Sequence, residues 1–142
     1  MQALRRGDIE TFLTFDLVNA RLDWKGNTAL HVLAVRGNAA GVKALIAAGA
    51  DPSKRNDDGR TPYFIAAWAQ RRECMNALRT DVNATDINGC TPLHIAASLG
   101  RCDMVHALVY DGCNIHVKDN NGRTALMVAR NHREVVDYLE QR

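Results

Sequence analysis

The chain has 142 residues, 46% apolar and 24% charged, with a formal net charge of +2. That length suits one globular domain rather than two independent cores, and so small a charge excess does not call for a nucleic-acid partner. No apolar run reaches the roughly 20 residues of a membrane-spanning helix, so no membrane partner is expected; Asp8 and Glu10 lie where a signal peptide would be apolar.

Taken in chain order, residues 3 to 18 (ALRRGDIETFLTFDLV) offer a helical stub over Ala3–Gly7 and a second apolar stretch over Ile9–Val18. A turn-rich segment, VNARLD from Val18, leads to Gly26 and then to GNTALHVLA. Thr28 stands where a helix N-cap should stand, because its hydroxyl can satisfy an orphan backbone N–H. Gly37 ends that helix, where a left-handed residue is wanted. Val42, Leu45 and Ile46 recur at helical spacing and predict a second helix closed by Gly49. The same order then repeats. DPSKRN from Asp51 precedes GRTPYFIAA from Gly59, DVNATD from Asp81 precedes GCTPLHIAA from Gly89, and NIHVKD from Asn114 precedes GRTALMVAR from Gly122. Thr61, Thr91 and Thr124 are the further caps. Pro62 and Pro92 occupy first helical positions, where a missing N–H costs nothing. Gly100 closes a first helix. Met104, Val105, Leu108 and Val109 mark a second helix, ended by Gly112. Paired alanines, Ala66 with Ala67 and Ala96 with Ala97, let neighbouring helices approach closely.

Gly26, Gly59, Gly89 and Gly122 step by 33, 30 and 33 residues. This period, with a TPLH signature and two helices per unit, resembles the ankyrin repeat. The likeness is fullest over GCTPLHIAASLGRCDMVHALVYDGCN and extends from about residue 3 to the end. It implies an all-α repeat solenoid of helix-turn-helix units joined by hairpin-like fingers. The expected division is an N-terminal cap over 1–22, repeats over 23–55, 56–85 and 86–118, and a C-terminal capping repeat over 119–142. Read as one domain with a polar cap at each end, the array is expected to be complete rather than cut from a longer one.

Two departures carry expectations of their own. The second repeat lacks the run ending in Gly-Ala between Leu78 and Asp81, so its second helix should stop near Arg79 and be a weak link in the array. Its TPLH is TPYF, with Phe64 where the family's histidine would hydrogen-bond, so packing must replace that bond. At the far end, the spacing from Ala129 to Glu134 is two residues tighter than usual, and Arg133, Asp137 and Glu140 of the last helix are expected to face water.

Catalytic chemistry finds little support. No P-loop, dinucleotide glycine triad, nucleophile elbow or HExxH motif occurs. His31 and His94 occupy the TPLH position, where the family uses imidazole to tie neighbouring loops together. Cys102 and His106 lie one helical turn apart, with Cys113 and His116 nearby, but two ligands do not make a zinc site. Cysteines at 74, 90, 102 and 113, without paired spacing or an export signal, read as free thiols. We therefore expect no enzyme activity, no metal and no cofactor, in a cytoplasmic or nuclear monomer.

The family resemblance implies partner binding through the fingers and the concave face of the first helices. The residues it places outward there include Trp24, Lys25, Arg60, Ile87 and Arg123 on fingers, and Arg36, Trp68, Leu99 and Arg130 at first-helix ends. Trp and Arg are the residue types most enriched in binding hot spots. Two readings of each tryptophan stay open. Each is a partner contact, or each folds onto its own array: Trp68 over Leu99 or the stem of Arg36, Trp24 over the entrance to the N-terminal cap. The accumulated arginines suggest an acidic peptide or protein as partner, against the alternative of a solvated mixed face. The functional expectation is a non-catalytic adaptor, scaffold or inhibitor. The alternatives are a targeting or regulatory domain of a larger enzyme or channel, or a small inhibitor resembling the compact cyclin-dependent-kinase inhibitors.

Overall fold

A computed structural model describes residues 18–79 and 81–142. The expected stubs over 3–17 lie outside the described residues. The regular structure assigned among the described residues is helical, in eight segments: α1 (Ala29–Arg36), α2 (Ala39–Ala47), α3 (Pro62–Trp68), α4 (Arg72–Ala77), α5 (Pro92–Ser98), α6 (Cys102–Tyr110), α7 (Ala125–Val128) and α8 (Arg133–Glu140). The chain divides into two compact units, Met1–Asp81 and Val82–Arg142.

Each first helix starts as its sequence dictates. Thr28, Thr61, Thr91 and Thr124 are extended N-caps, and the Thr61, Thr91 and Thr124 hydroxyls accept from the backbone N–H three residues on. Pro62 and Pro92 open α3 and α5. The helices end in left-handed turns. Gly37 and Gly100 have φ of 75° and 69°, and Gln70 takes the same conformation at 60°. In each case the next residue's N–H reaches back five residues, Asn38 to Leu33, Arg71 to Ala66 and Arg101 to Ala96.

In the first unit α1 packs on α2 and α3, and α4 packs on α2 and α3. The core they enclose contains Leu30, Leu33, Val42, Leu45, Tyr63, Phe64, Met75 and Leu78, all essentially inaccessible. In the second unit α5 packs on α6 and α7, and α8 on α6 and α7, around Leu93, Ala97, Val105, Leu108 and Leu139. Ile46 and Val109, expected on buried faces, are half-buried.

The shortened repeat behaves as its spacing predicts. α2 and α6 run for nine residues and α4 for six, with Leu78 as its C-cap. The chain's division into units falls at Asp81, directly after that truncated helix. Phe64 is buried, with the Arg60 guanidinium carbon 5.0 Å from its ring centroid, so packing and a cation–π contact replace the imidazole bond. At the C-terminus α7 is a single turn of four residues, the result of the tight 129–134 spacing. Arg133, Asp137 and Glu140 are exposed, and Arg133 pairs with Asp137 at 3.3 Å.

Candidate protein-interaction surface

The fingers rest on one repeated side chain. Asp23, Asn56, Asp86 and Asp119 each use Oδ1 to accept two backbone N–H groups, two and four residues ahead, at 2.9–3.0 Å. This is a turn held from inside, and it rigidifies the loop whose tip faces outward. The carboxylates are held below the usual range where these bonds dominate. At Asp119 the Arg123 N–H is the chief cause, with the Arg123 side chain adding 3.0 Å contact. At Asp23 burial pulls upward, and the bonds from Asn27 and Lys25 outweigh it.

Imidazoles bind each finger to the preceding first helix. The Thr28 N–H donates to His31 Nδ1 at 3.0 Å, and His31 Nε2–H donates to the Arg60 carbonyl at 2.8 Å. His94 repeats this with the Thr91 N–H and the Arg123 carbonyl. The backbone partners fix the tautomer: a carbonyl only accepts and an amide N–H only donates, so Nε2 carries the proton and Nδ1 is free to accept. Burial pulls the His31 pKa down, against the smaller upward pull of its carbonyl partner and Asp23.

A second link escaped the sequence. The residue that caps each second helix reaches back to the end of the preceding first helix. Arg71 Nε–H donates to the Val35 carbonyl at 3.1 Å, and His132 Nε2–H donates to the Ser98 carbonyl at 2.9 Å. Gly37 and Gly100 leave room for these clamps, since an added Cβ would lie 3.0 Å from Arg71 Cδ and 2.4 Å from His132 Nδ1. The available signal was a long nitrogen donor recurring before each second helix, as Arg71, Arg101 and His132.

The outward positions divide as follows. Trp24 is 83% exposed, Ile87 62%, Leu99 48% and Trp68 46%. Lys25, Arg36, Arg123 and Arg130 are exposed, whereas Arg60 is half-buried by its contact with Phe64. Lys25 Nζ stands 5.1 Å from the Trp24 ring centroid. Nine-tenths of neither tryptophan is covered, so neither is a core residue; Trp24 in particular stands almost wholly in solvent. In the first unit Lys25, Arg60 and Trp68 line one groove of about 270 Å³, with Val35, Ile65 and Asp58. Trp24 and Arg36 are not among its lining. The second unit has a counterpart of about 590 Å³ lined by Arg123, Arg130, Met127, Ile95 and Ser98. Ile87 and Leu99 lie outside it. Tyr110, at the end of α6, is exposed and was not anticipated.

The thiols are poor nucleophiles. Burial raises the pKa of Cys74 and Cys102, and that of Cys113 to about 11. His106 stacks on Tyr138 with centroids 3.8 Å apart. Among the described residues no three His, Cys, Asp or Glu side chains gather as a metal site would need, and no helix is long and apolar enough to cross a membrane.

A family model of ankyrin repeats in three copies matches residues 1–86 and 78–141. The chain belongs to the ankyrin-repeat family. It is 33% identical over 108 residues to neurogenic locus notch homolog protein 1 of Xenopus laevis and 33% identical over 113 residues to neurogenic locus notch homolog protein 2 of Homo sapiens, covering 73% and 77% of this chain. Potassium channel AKT2/3 of Arabidopsis thaliana is 56% identical over 45 residues, 32% of this chain. The matched segments are 4%, 5% and 6% of those proteins' own lengths. Ankyrin repeats are a protein–protein interaction module, generally non-catalytic, and this array carries the residues that build one.

Proposed function

We propose that the chain is a non-catalytic recognition module, an adaptor, scaffold or inhibitor, that grips a partner protein with its fingers and first-helix ends. One observation carries this reading. Among the described residues the large exposed apolar side chains are Trp24, Val35, Trp68, Ile87, Leu99, Met127 and Tyr110. All but Tyr110 lie on a finger or a first helix. The second helices put their large apolar groups inward instead. Solvent-facing apolar groups gathered on one kind of element are the mark of an interaction surface. The Asp/Asn-pinned turns present them with little flexibility, which lowers the entropic cost of binding.

Trp24 and Trp68 are the proposed principal anchors, with Ile87 and Leu99 as further apolar contacts. Lys25, Arg36, Arg60, Arg123 and Arg130 steer an acidic partner. Affinity capture from the native cell with a Trp24→Ala/Trp68→Ala double variant tests this. Capture should be lost while the helical circular-dichroism signal persists; undiminished capture rules the patch out.

A second reading has its own support. The relatives are many times longer than the matched segment, and one is named a potassium channel. The same surface then serves as the targeting or regulatory segment of a larger protein. The binding chemistry is common to both readings. A monomer in the cytoplasm or nucleus is the setting we propose for either.

A further inference from the structure

We infer that the first-unit groove is a side-chain pocket for an acid-flanked apolar residue of the partner protein. This rests on the recognition reading above and narrows it to one place and one chemistry. The groove is walled by Val35, Ile65 and Trp68, three apolar side chains from α1 and α3, and rimmed by Lys25, Asp58 and Arg60 from two fingers. Its volume of about 270 Å³ falls below the roughly 300–1,000 Å³ of small-molecule sites. It is an open slot for a protruding side chain rather than a chamber for a metabolite.

Charge selects what flanks that side chain. Asp58 is the one carboxylate among the lining residues, against Lys25 and Arg60. The far end is basic as well. Val35 ends in a carbonyl held by Arg71 Nε at 3.1 Å, and exposed Arg36 follows Val35 in the chain. Asp57, the neighbouring acid, is ion-paired with Arg21. Four cations thus surround an apolar slot beside a single lining carboxylate, and a partner's Asp or Glu next to the inserted side chain completes the match. The second-unit groove lacks this pattern. Ser98 and Asn131 stand at the positions of Val35 and Trp68, and Arg123 is already paired with Asp119 at 3.0 Å.

The test is selection of a phage-displayed random dodecapeptide library on the full chain. Enriched peptides should carry Leu, Ile, Met, Phe or Trp with Asp or Glu within two residues. Trp68→Ala should weaken a synthetic copy of the enriched peptide by roughly thirty-fold, the size of a hot-spot truncation. Lys25→Glu, on an exposed finger, should select a set depleted of acids. In a Trp24→Phe chain Trp68 is the sole indole, and its emission should shift to the blue as the peptide is added. Enrichment of peptides without acids, or no enrichment over an uncoated surface, overturns the pocket. So does equal binding by Trp68→Ala. If that binding is instead lost in Trp24→Ala or Leu99→Ala, the wider surface stands and only the pocket fails. A concentration-dependent dimer abolished by Trp68→Ala also overturns it, since the occupant would then be a second copy of the chain.

Discussion

The two units are built on the same plan and finished differently. Each has a histidine in its leading repeat that bonds the next finger's carbonyl, a back-reaching donor on the first-helix end, and a groove above them. Their second repeats diverge. In the first unit that repeat has a full seven-residue first helix, Pro62–Trp68, and a truncated second one. In the second unit the order reverses: α7 has four residues and α8 has eight. The full first helix is what carries Trp68 out to the groove. Where the helix stops after one turn, Asn131 occupies the equivalent place in a turn. Deleting residues from one helix or the other therefore decides which unit presents an apolar wall, without touching the residues that build the repeat.

The position after Thr-X-X is the sharpest place to break the comparison. Phe64 is buried to 1% while its counterpart Met127 is 52% exposed. Phe64→Ala should cost about 3–5 kcal/mol, since an aromatic leaves a cavity that a rigid core does not refill. Met127→Ala should cost well under ~1 kcal/mol, as a surface substitution. Urea unfolding followed by circular dichroism measures both, and equal losses would mean the two second repeats are packed alike.

Binding should divide the units next. Trp68→Ala should lower partner affinity by about 2 kcal/mol or more, the threshold for a hot spot. Asn131→Ala, at the same repeat position, should leave it within about 0.5 kcal/mol. Isothermal titration with the captured partner gives the two numbers side by side.

Most of this plan was legible in the residues. Thr caps, first-position prolines and Gly37 and Gly100 mark helix boundaries because each answers a local need of the backbone, and local needs are written locally. The 30-residue step between Gly59 and Gly89 located the truncation correctly at the end of α4. The outward placing of Trp24 and Trp68 followed from repeat position alone. What stayed hidden depends on contacts 29 to 36 residues apart. The Arg71 clamp on the Val35 carbonyl needs the neighbouring repeat to be in place before it exists. The same holds for Arg60, expected outward and found half-covered by Phe64. Periodicity assigns a face, but it does not say whether a long side chain lies down on it.

Gln70 offers a smaller test, because it does a glycine's work. Its φ of 60° is left-handed, as at Gly37 and Gly100, and a side chain in that region costs about 1–2 kcal/mol. Gln70→Gly should therefore stabilise the chain, by up to about 1 kcal/mol once the added freedom of the unfolded state is set against it. The mirror change, Gly100→Ala, introduces both the strain and a collision with His132 Nδ1, so it should destabilise. The two urea midpoints should move in opposite directions. If Gln70→Gly destabilises instead, the Gln70 side chain makes contacts worth more than its backbone strain.

The smallest expected effect is a pH dependence from His31. Its folded pKa lies below the usual 6.5, chiefly because burial disfavours the charged ring. Above that value both the folded and unfolded states hold it neutral, and it contributes no slope. As pH falls below about 6.5 the unfolded chain takes up a proton that the folded chain resists, so stability declines until the lowered folded value is passed. One group cannot contribute more than about 1.4 kcal/mol per pH unit. Protonation also removes Nδ1 as an acceptor for the Thr28 N–H, which ties the loss to a named bond. His31→Phe copies into the first repeat what Phe64 already is in the second. It gives up the bond to the Arg60 carbonyl, for about 1–3 kcal/mol if that carbonyl is left buried, and it should flatten the wild-type decline between pH 7.5 and 5.5. Urea midpoints at those two pH values, taken for both chains, isolate the His31 share from that of the other histidines. A wild-type slope that survives intact in His31→Phe would place the acid sensitivity elsewhere.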